Sequence, residues 1–153
     1  MAQTFHTHLH IDVPAEQITA AIASFHEWMD WMPGLVDVRP VGDEPFGVGT
    51  EWVETRRMFG KEASETFEVT AYEPGRHLAL YVDGTKGSSK RGEYRFTYDL
   101  SPSGTGTDVA FSGTINMPGF MFKMLGRLLL ASFHKACDRD LESLKRYLEQ
   151  VED

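Results

Sequence analysis

The last third of the chain carries one long helix signal, and no other segment limits the choice of fold as strongly. The signal runs from Met117 to Glu152 and opens with Met117-Pro118-Gly119, which suits a strand-to-helix junction. About 30 residues make a helix of ~45 Å. Its single stripe needs a large partner surface, which only the preceding strands can supply. The stripe falls at three- and four-residue steps: Leu125, Leu128, Leu129, Ser132, Phe133, Ala136, Cys137, Asp140, Leu141, Leu144 and Leu148.

The bulk composition indicates one ordinary globular domain, which we place at residues 1–153. The chain has 153 residues, 41% hydrophobic and 25% charged, so it is long enough to bury a core. No apolar run approaches the ~20 residues of a membrane span, so we expect no integral membrane segment. The N-terminus lacks the basic flank and apolar stretch of a secretory signal, which predicts a cytoplasmic protein.

The charge balance disfavours one class of partner. The formal net charge is -8, whereas a nucleic-acid binder normally carries a basic stripe. The basic residues are scattered along the sequence. The densest group, Arg56, Arg57 and Lys61, has glutamates at 51, 54, 62 and 65 nearby. Nucleic acid is therefore not an expected partner.

Strand-like segments separated by turn residues fill the part of the chain before the long helix. Alternation places strands at 4–12, 35–42, 49–58, 62–73, 76–82, 90–100 and 106–115, and two short helices between the first two of them. The connections are short and rich in glycine and proline, which favours antiparallel neighbours. The predicted order is one strand, two short helices, six strands and the long helix, in the α+β class.

The histidines and the single cysteine do not form a metal site in the sequence. His6, His8 and His10 share one face of the first strand, but alternate residues are ~7 Å apart, too far to share one zinc ion easily. We expect them on the convex face of the sheet or in a homodimer contact. Cys137 excludes a disulfide within the chain and is expected to be a small core residue. We expect no metal and no cofactor.

The order of elements and several short motifs resemble the START-like helix-grip superfamily (SRPBCC), and within it the bacterial polyketide cyclase/dehydrase-like group. The motifs are Ile11 to Glu16 leading into a short helix, Trp28 with Trp31 to Gly34, Gly47 to Thr50, Phe67 to Val69 with Glu73 to Arg76, and Gly106 to Val109. The resemblance implies a seven-stranded curved antiparallel sheet wrapped around the long helix, with an apolar pocket between them. Members bind lipids, sterols, hormones, quinones or polyketides, and only some are enzymes.

Large aromatic and methionine side chains are too numerous for a fully collapsed core, which favours a cavity over a filled interior. Loops at 58–61 and 83–90 are expected to gate it. The candidate ligand-binding residues are Trp28, Trp31, Met32, Trp52, Phe59, Phe67, Tyr94, Phe96, Tyr98, Phe111, Met121, Met124, Leu125 and Leu128.

Three charged residues on neighbouring strands are the catalytic candidates: Glu54, Arg56 and Glu65. If they face the cavity, a carboxylate with a raised pKa could act as a general base, while the arginine holds a ligand carboxylate or enolate. The alternative is a row of cross-strand ion pairs on the wet face of the sheet. We slightly favour the wet face, because a slip of one residue in strand 49–58 inverts every assignment.

These observations lead to three hypotheses about function. The first is a carrier or sensor that binds a small, largely hydrophobic molecule such as a lipid, quinone or polyketide. The second is an aromatase/cyclase-like enzyme that acts on a poly-β-ketone through Glu54 or Glu65. The third is a protein-interaction module, which requires Trp28 and Trp31 to be exposed.

Overall fold

A single antiparallel sheet of seven strands curves around one long helix, as the sequence predicts. The computed structural model describes residues 2–58 and 60–150. The strands are β1 (Ala2–Ile11), β2 (Leu35–Val41), β3 (Glu51–Met58), β4 (Lys61–Glu73), β5 (His77–Asp83), β6 (Glu93–Ser103) and β7 (Gly106–Asn116). The helices are α1 (Ala15–Ile22), α2 (Trp28–Trp31) and α3 (Phe120–Gln150), with single 3-10 turns at Phe25–Glu27 and Gly84–Lys86.

The strand order follows from the short turns between consecutive strands. The sheet runs β1-β7-β6-β5-β4-β3-β2, so each strand from β2 to β7 pairs with its neighbour in sequence. The first strand joins the sheet beside the last, with Phe5 opposite Gly113. A Cβ on Gly113 would lie 2.3 Å from the Phe5 ring, so only glycine lets this ring lie against β7. This arrangement is the α+β helix-grip fold.

Alternation along the strands directs one set of side chains towards α3. Leu78, Leu80 and Val82 of β5 are buried, while the residues between them are partly exposed. The C-terminal half of α3 contributes buried leucines at 141, 144 and 148 to the same core. This half of the helix anchors the fold because its apolar stripe is continuously covered.

The N-terminal half of α3 differs from the prediction. The buried positions there are Phe122 and Gly126, not Leu125 or Leu128. At 3.6 residues per turn, residue 125 lies about 80° and residue 128 about 140° around the helix from the line through residues 122 and 126. The sequence offers large apolar residues on both sides of this segment, so periodicity alone selected the wrong side.

None of the helices within residues 2–58 and 60–150 combines the length and the apolar character needed to cross a membrane.

Candidate functional site

A largely apolar space in contact with the sheet lies between β3, β4, β5, β6 and the middle of α3. This outer cavity has a volume of about 440 Å³, within the ~300–1,000 Å³ typical of ligand sites. Its apolar walls include Phe67, Phe96 and Phe133, and Ser88 and Ser89 stand at its edge. A mostly apolar molecule of modest size would fit such a space.

A smaller inner cavity of about 80 Å³ lies deeper in the molecule. The two cavities share Glu54, Arg56, Phe67, Phe96 and Cys137 as wall residues. The inner cavity is further lined by aromatic side chains from α2, β3, β6 and β7: Trp28, Trp31, Trp52, Tyr98 and Phe111. Its size suits a small chemical group, not a whole ligand.

Arg56 and Asp140 form a part-buried ion pair in the wall between β3 and α3. The arginine donates Nη1–H to Asp140 Oδ2 at 2.8 Å and Nη2–H to Asp140 Oδ1 at 2.6 Å. Nη2 also donates to the carbonyl oxygen of Pro33 at 2.7 Å. Burial disfavours the guanidinium charge, but the hydrogen bond to Asp140 and the negative charges of Asp140 and Glu54 together outweigh burial and raise the pKa of Arg56. The arginine therefore stays charged.

Glu54 lies beside this ion pair as a buried carboxyl group. Its side chain is 6% exposed, and its Oε2 is 3.7 Å from Arg56 Nε. The indole N–H of Trp52 donates to its Oε1 at 3.4 Å. Burial raises the pKa of Glu54 to about 7, while the charge of Arg56 opposes this rise and that of Asp140 adds to it. This carboxyl group can take up or release a proton near neutral pH.

Glu65 lies directly opposite Glu54 in the pairing of β3 with β4, so both side chains point to the same face of the sheet. Glu65 Oε1 accepts hydrogen bonds from Ser89 N at 2.8 Å and Ser89 Oγ at 2.6 Å. Ser89 Oγ is also 2.7 Å from the Tyr94 hydroxyl. The carboxylate thus holds the 83–92 loop at the edge of the outer cavity.

Two other groups in the cavity walls are kept neutral by burial. Burial raises the pKa of the Tyr98 hydroxyl and of the Cys137 thiol well above their usual ranges. Neither is a nucleophile at neutral pH. Within the described residues, the Nε1–H of Trp31 and the Nε–H of Arg56 have no hydrogen-bond partner. Both residues line the inner cavity, so their N–H groups are the candidate donors to an oxygen atom placed there.

A cavity between a curved sheet and a C-terminal helix accords with the family comparison. Residues 2–149 match the family described as polyketide cyclase / dehydrase and lipid transport. The chain belongs to this family. No protein of curated function matches the sequence significantly.

Solved structures similar to this family member share its fold at low sequence identity. The aromatase/cyclase Zhui from Streptomyces sp. R1128 superposes with a TM-score of 0.83 at 11% identity, covering 100% of this chain and 97% of that one. TTHA0849 from Thermus thermophilus gives 0.81 at 16% identity, covering 99% and 100%. The major latex-like protein 151 of Panax ginseng gives 0.78 at 11%, covering 96% and 97%. These likenesses show the fold alone.

The structure brings together most of the residues selected from the sequence. Glu54, Arg56 and Glu65 line the cavities, so the favoured alternative of a wet-face ion-pair row is wrong for all three. Trp28 and Trp31 are 2% and 6% exposed, which removes the condition for an interaction module. Among the ligand-binding candidates, those that line one or both cavities are Trp28, Trp31, Met32, Trp52, Phe67, Tyr94, Phe96, Tyr98 and Phe111. Phe59 lies outside the described residues.

Four candidates lie elsewhere. Met121, Met124, Leu125 and Leu128 line neither cavity, and their side chains are between 41% and 67% exposed. These four residues were selected because the sequence pattern predicted the wrong side of α3 to be buried. His6, His8 and His10 are exposed on β1, as expected for the convex face.

Several residues of the site were not among the candidates selected from the sequence, and those with polar or ionisable groups include Ser89, Cys137 and Asp140. Asp140 had a usable signal, since it is an acidic residue on an otherwise mainly apolar helix stripe. A buried carboxylate needs a cation, and Arg56 was the candidate cation on the facing strand. Ser89 had no signal beyond its place in a glycine- and serine-rich loop.

Proposed function

We propose that this protein binds a small, largely hydrophobic molecule, such as a lipid, a quinone or a polyketide-like compound, in the outer cavity. The observation that carries the proposal is the 440 Å³ space, which has Phe67, Phe96 and Phe133 in its walls beside a set of charged and serine side chains. A ligand of this class gains binding free energy mainly because its apolar surface is removed from water, at roughly 25 cal/mol per Å².

The inner cavity supports an orientation for that ligand. Its two donors without partners, on Trp31 and Arg56, suit a carbonyl or carboxylate oxygen. Glu54, when protonated, can donate a third hydrogen bond. A ligand with an apolar body and one oxygen-bearing end would place that end here and its body among Phe67, Phe96 and Phe133.

The experiment is a binding titration with the fluorescent apolar probe N-phenyl-1-naphthylamine, together with mass spectrometry of apolar molecules extracted from the purified protein. Ala136→Phe adds a ring to the cavity wall, and we expect it to weaken probe binding at least tenfold. Ala131→Phe, at an exposed position of the same helix, is the matched control and should bind like the unchanged protein. Equal affinity in both variants would contradict the proposal.

An aromatase/cyclase-like enzyme is the second candidate, and the pKa of Glu54 near 7 favours it. In this chemistry the Glu54 carboxylate removes a proton from a methylene between two ketones of a poly-β-ketone. The resulting enolate carbon bonds to a distant carbonyl carbon, and the alkoxide oxygen takes up the proton before water is lost. Arg56 would stabilise the enolate.

This second candidate is tested with a short poly-β-ketone thioester and a chromatographic assay for aromatic product. Glu54→Gln should lower turnover by at least 100-fold, within the usual contribution of a general base, and leave binding of the apolar probe unchanged. Product formation at the same rate in Glu54→Gln, in Glu65→Gln and in the unchanged protein would exclude the enzyme hypothesis for these carboxylates.

A further inference from the structure

The first three turns of α3 carry an unusual amount of exposed apolar surface. Of the ten large hydrophobic side chains that are exposed within the described residues, six fall within residues 120–129. We call this set the docking face. It consists of Phe120, Met121, Met124, Leu125, Leu128 and Leu129, with exposed fractions from 38% to 73%. Contiguous apolar surface of this kind marks an interaction site.

The surroundings of the docking face are basic although the whole protein is acidic. The sequence has no aspartate or glutamate between Asp108 and Asp138, and none between Asp83 and Glu93. These two stretches contain exposed basic side chains at Lys86, Lys90, Arg91, Lys123, Arg127 and Lys135. The whole protein has a net charge of -8, so the basic residues are strongly concentrated in these two stretches. Their separate positions in the sequence do not make this concentration evident.

The fold brings the two stretches together. A Cβ added to Gly119, just before α3, would lie 3.3 Å from Nη1 of Arg91 in the 83–92 loop. A Cβ on Gly92 would lie 2.7 Å from Met117 Sδ. A groove of about 380 Å³ at the same place is lined by Phe120, Phe122 and Lys123 among others. Arg91 of the loop therefore belongs to the same surface as the docking face.

The docking face also adjoins the outer cavity. Ser88 and Ser89 of the 83–92 loop line that cavity, and so does Phe133, one turn beyond the docking face on α3. Phe133 in turn packs with Phe122 and Tyr94 in one apolar cluster. Anything that covers the docking face lies beside the cavity's edge.

We propose that the docking face lies on an anionic lipid bilayer, with its apolar side chains in the headgroup region and the surrounding lysines and arginines on lipid phosphates. A helix with exposed Phe, Met and Leu and basic flanks has the pattern of an interfacial segment. Charge complementarity favours this occupant over a second copy of the chain, which would place the same basic residues against each other. A polyanion without apolar surface would leave the six hydrophobic side chains in water.

The experiment is vesicle co-sedimentation of the full chain with phosphatidylcholine alone and with 70:30 phosphatidylcholine:phosphatidylglycerol, at 50 and 500 mM salt. We expect binding to the anionic vesicles at low salt and loss of most of it at high salt. Lys123→Glu with Arg127→Glu should lower the partition coefficient by at least about 25-fold, from about fivefold for each positive charge removed and a further loss from the added negative charges. Met124→Ser with Leu128→Ser should lower it about 100-fold, from roughly tenfold per apolar side chain.

Matched control variants test whether the place of each change matters. Arg39→Glu with Arg146→Glu reverses two exposed arginines elsewhere, and Val41→Ser with Val48→Ser replaces two exposed valines. Both should bind vesicles like the unchanged protein. Circular dichroism and thermal melting verify that every variant is folded.

Three results would overturn the proposal. The first is equal binding to neutral and anionic vesicles, or binding to neither. The second is an equal loss in the control variants. The third is a dimer in sedimentation velocity that Met124→Ser with Leu128→Ser converts to a monomer, because the docking face would then be the contact between two copies. None of these results depends on what the outer cavity binds.

Discussion

Arg56 of β3 and Asp140 of α3 are joined by two parallel hydrogen bonds, at 2.8 and 2.6 Å. This pair ties the sheet to the helix at the point where the inner and outer cavities meet. Both terminal nitrogens of the arginine are used, and only its Nε remains beside Glu54. The ion pair thus keeps a fixed positive charge next to a carboxyl group that titrates near neutral pH.

We expect removal of one partner of this pair to lower the free energy of unfolding more than removal of both partners. Asp140→Leu leaves the arginine charge without its carboxylate and should lower the free energy of unfolding by about 3–5 kcal/mol. The double variant Arg56→Met with Asp140→Leu should be more stable than Asp140→Leu alone by at least about 2 kcal/mol, because it leaves no unpaired buried charge. Urea denaturation at pH 6, where Glu54 is mostly protonated, measures both.

An exposed ion pair gives the control for that prediction. Arg57 and Glu62 are 3.1 Å apart, with 61% and 50% of their side chains exposed. Glu62→Leu should cost less than about 1 kcal/mol. If Asp140→Leu costs no more than Glu62→Leu, the pair between β3 and α3 is solvated and does not shape the cavity.

Glu54 should make the protein less stable as the pH rises. Its pKa is about 7 in the folded protein and 4.5 in the unfolded chain, so the folded state binds more protons between these values. Linkage then lowers the free energy of unfolding from pH 4.5 to pH 7, by about 3 kcal/mol in total, and leaves it level above. Glu54→Gln mimics the protonated group and should remove this slope.

Urea denaturation of both proteins at pH 5 and pH 8 isolates the Glu54 contribution, since every other titrating group is shared. We expect Glu54→Gln to gain stability relative to the unchanged protein at pH 8, and to match it closely at pH 5. A difference between the two proteins that is the same at both pH values would show that the carboxyl group is solvated and titrates normally.

The sequence was sufficient for the order of helices and strands along the chain because local signals agreed. Glycine and proline turns separate segments of clear alternation, as in β5 with Leu78, Leu80 and Val82. The motifs between α1 and β7 identified the family for the same reason, since they mark turns and junctions of one particular topology. These features depend on residues near each other in the chain.

The site was harder to predict because it depends on contacts between distant segments. The alternation of β3 puts Trp52, Glu54 and Arg56 on one face, but it does not tell which face is buried. Two charged residues favour the solvent-exposed face unless a buried partner for their charge is known. That partner, Asp140, is 84 residues further along. The prediction of the buried side of α3 was wrong for the same reason, because only the position of β1 and β7 shows which side of the helix is covered.

The 83–92 loop should open when Gly87 is replaced by alanine. Ser88 N donates to the carbonyl oxygen of Ser64 at 2.7 Å and Ser64 N donates to Ser88 Oγ at 2.8 Å, so the loop lies tightly on β4. A Cβ on Gly87 would lie 2.3 Å from Glu65 Oε2 and 2.6 Å from Ser64 O. Neither the backbone nor the hydrogen-bonded carboxylate can give way easily, so the loop must move.

We expect Gly87→Ala to raise the rate at which the bound apolar probe dissociates, by about tenfold or more, in stopped-flow measurements. Gly47→Ala is the matched control, because the nearest atom to its new Cβ is 4.0 Å away. Hydrogen exchange of the amides of residues 87–90 should speed up in Gly87→Ala only. Unchanged dissociation with faster exchange would mean that the loop moves but does not gate the cavity.

Cys137 should react slowly with iodoacetamide although it lines both cavities. Burial raises the pKa of its thiol well above the usual value, and Asp140 adds to the rise against the opposing charge of Arg56. Only the thiolate reacts, so at pH 8 we expect a rate at least tenfold below that of a free cysteine with a pKa of about 8.5. Ala131→Cys in a Cys137→Ala background supplies an exposed thiol on the same helix, which should react at the free rate. If the two rates agree, water reaches the cavity wall freely, and the raised pKa of Glu54 loses its physical cause as well.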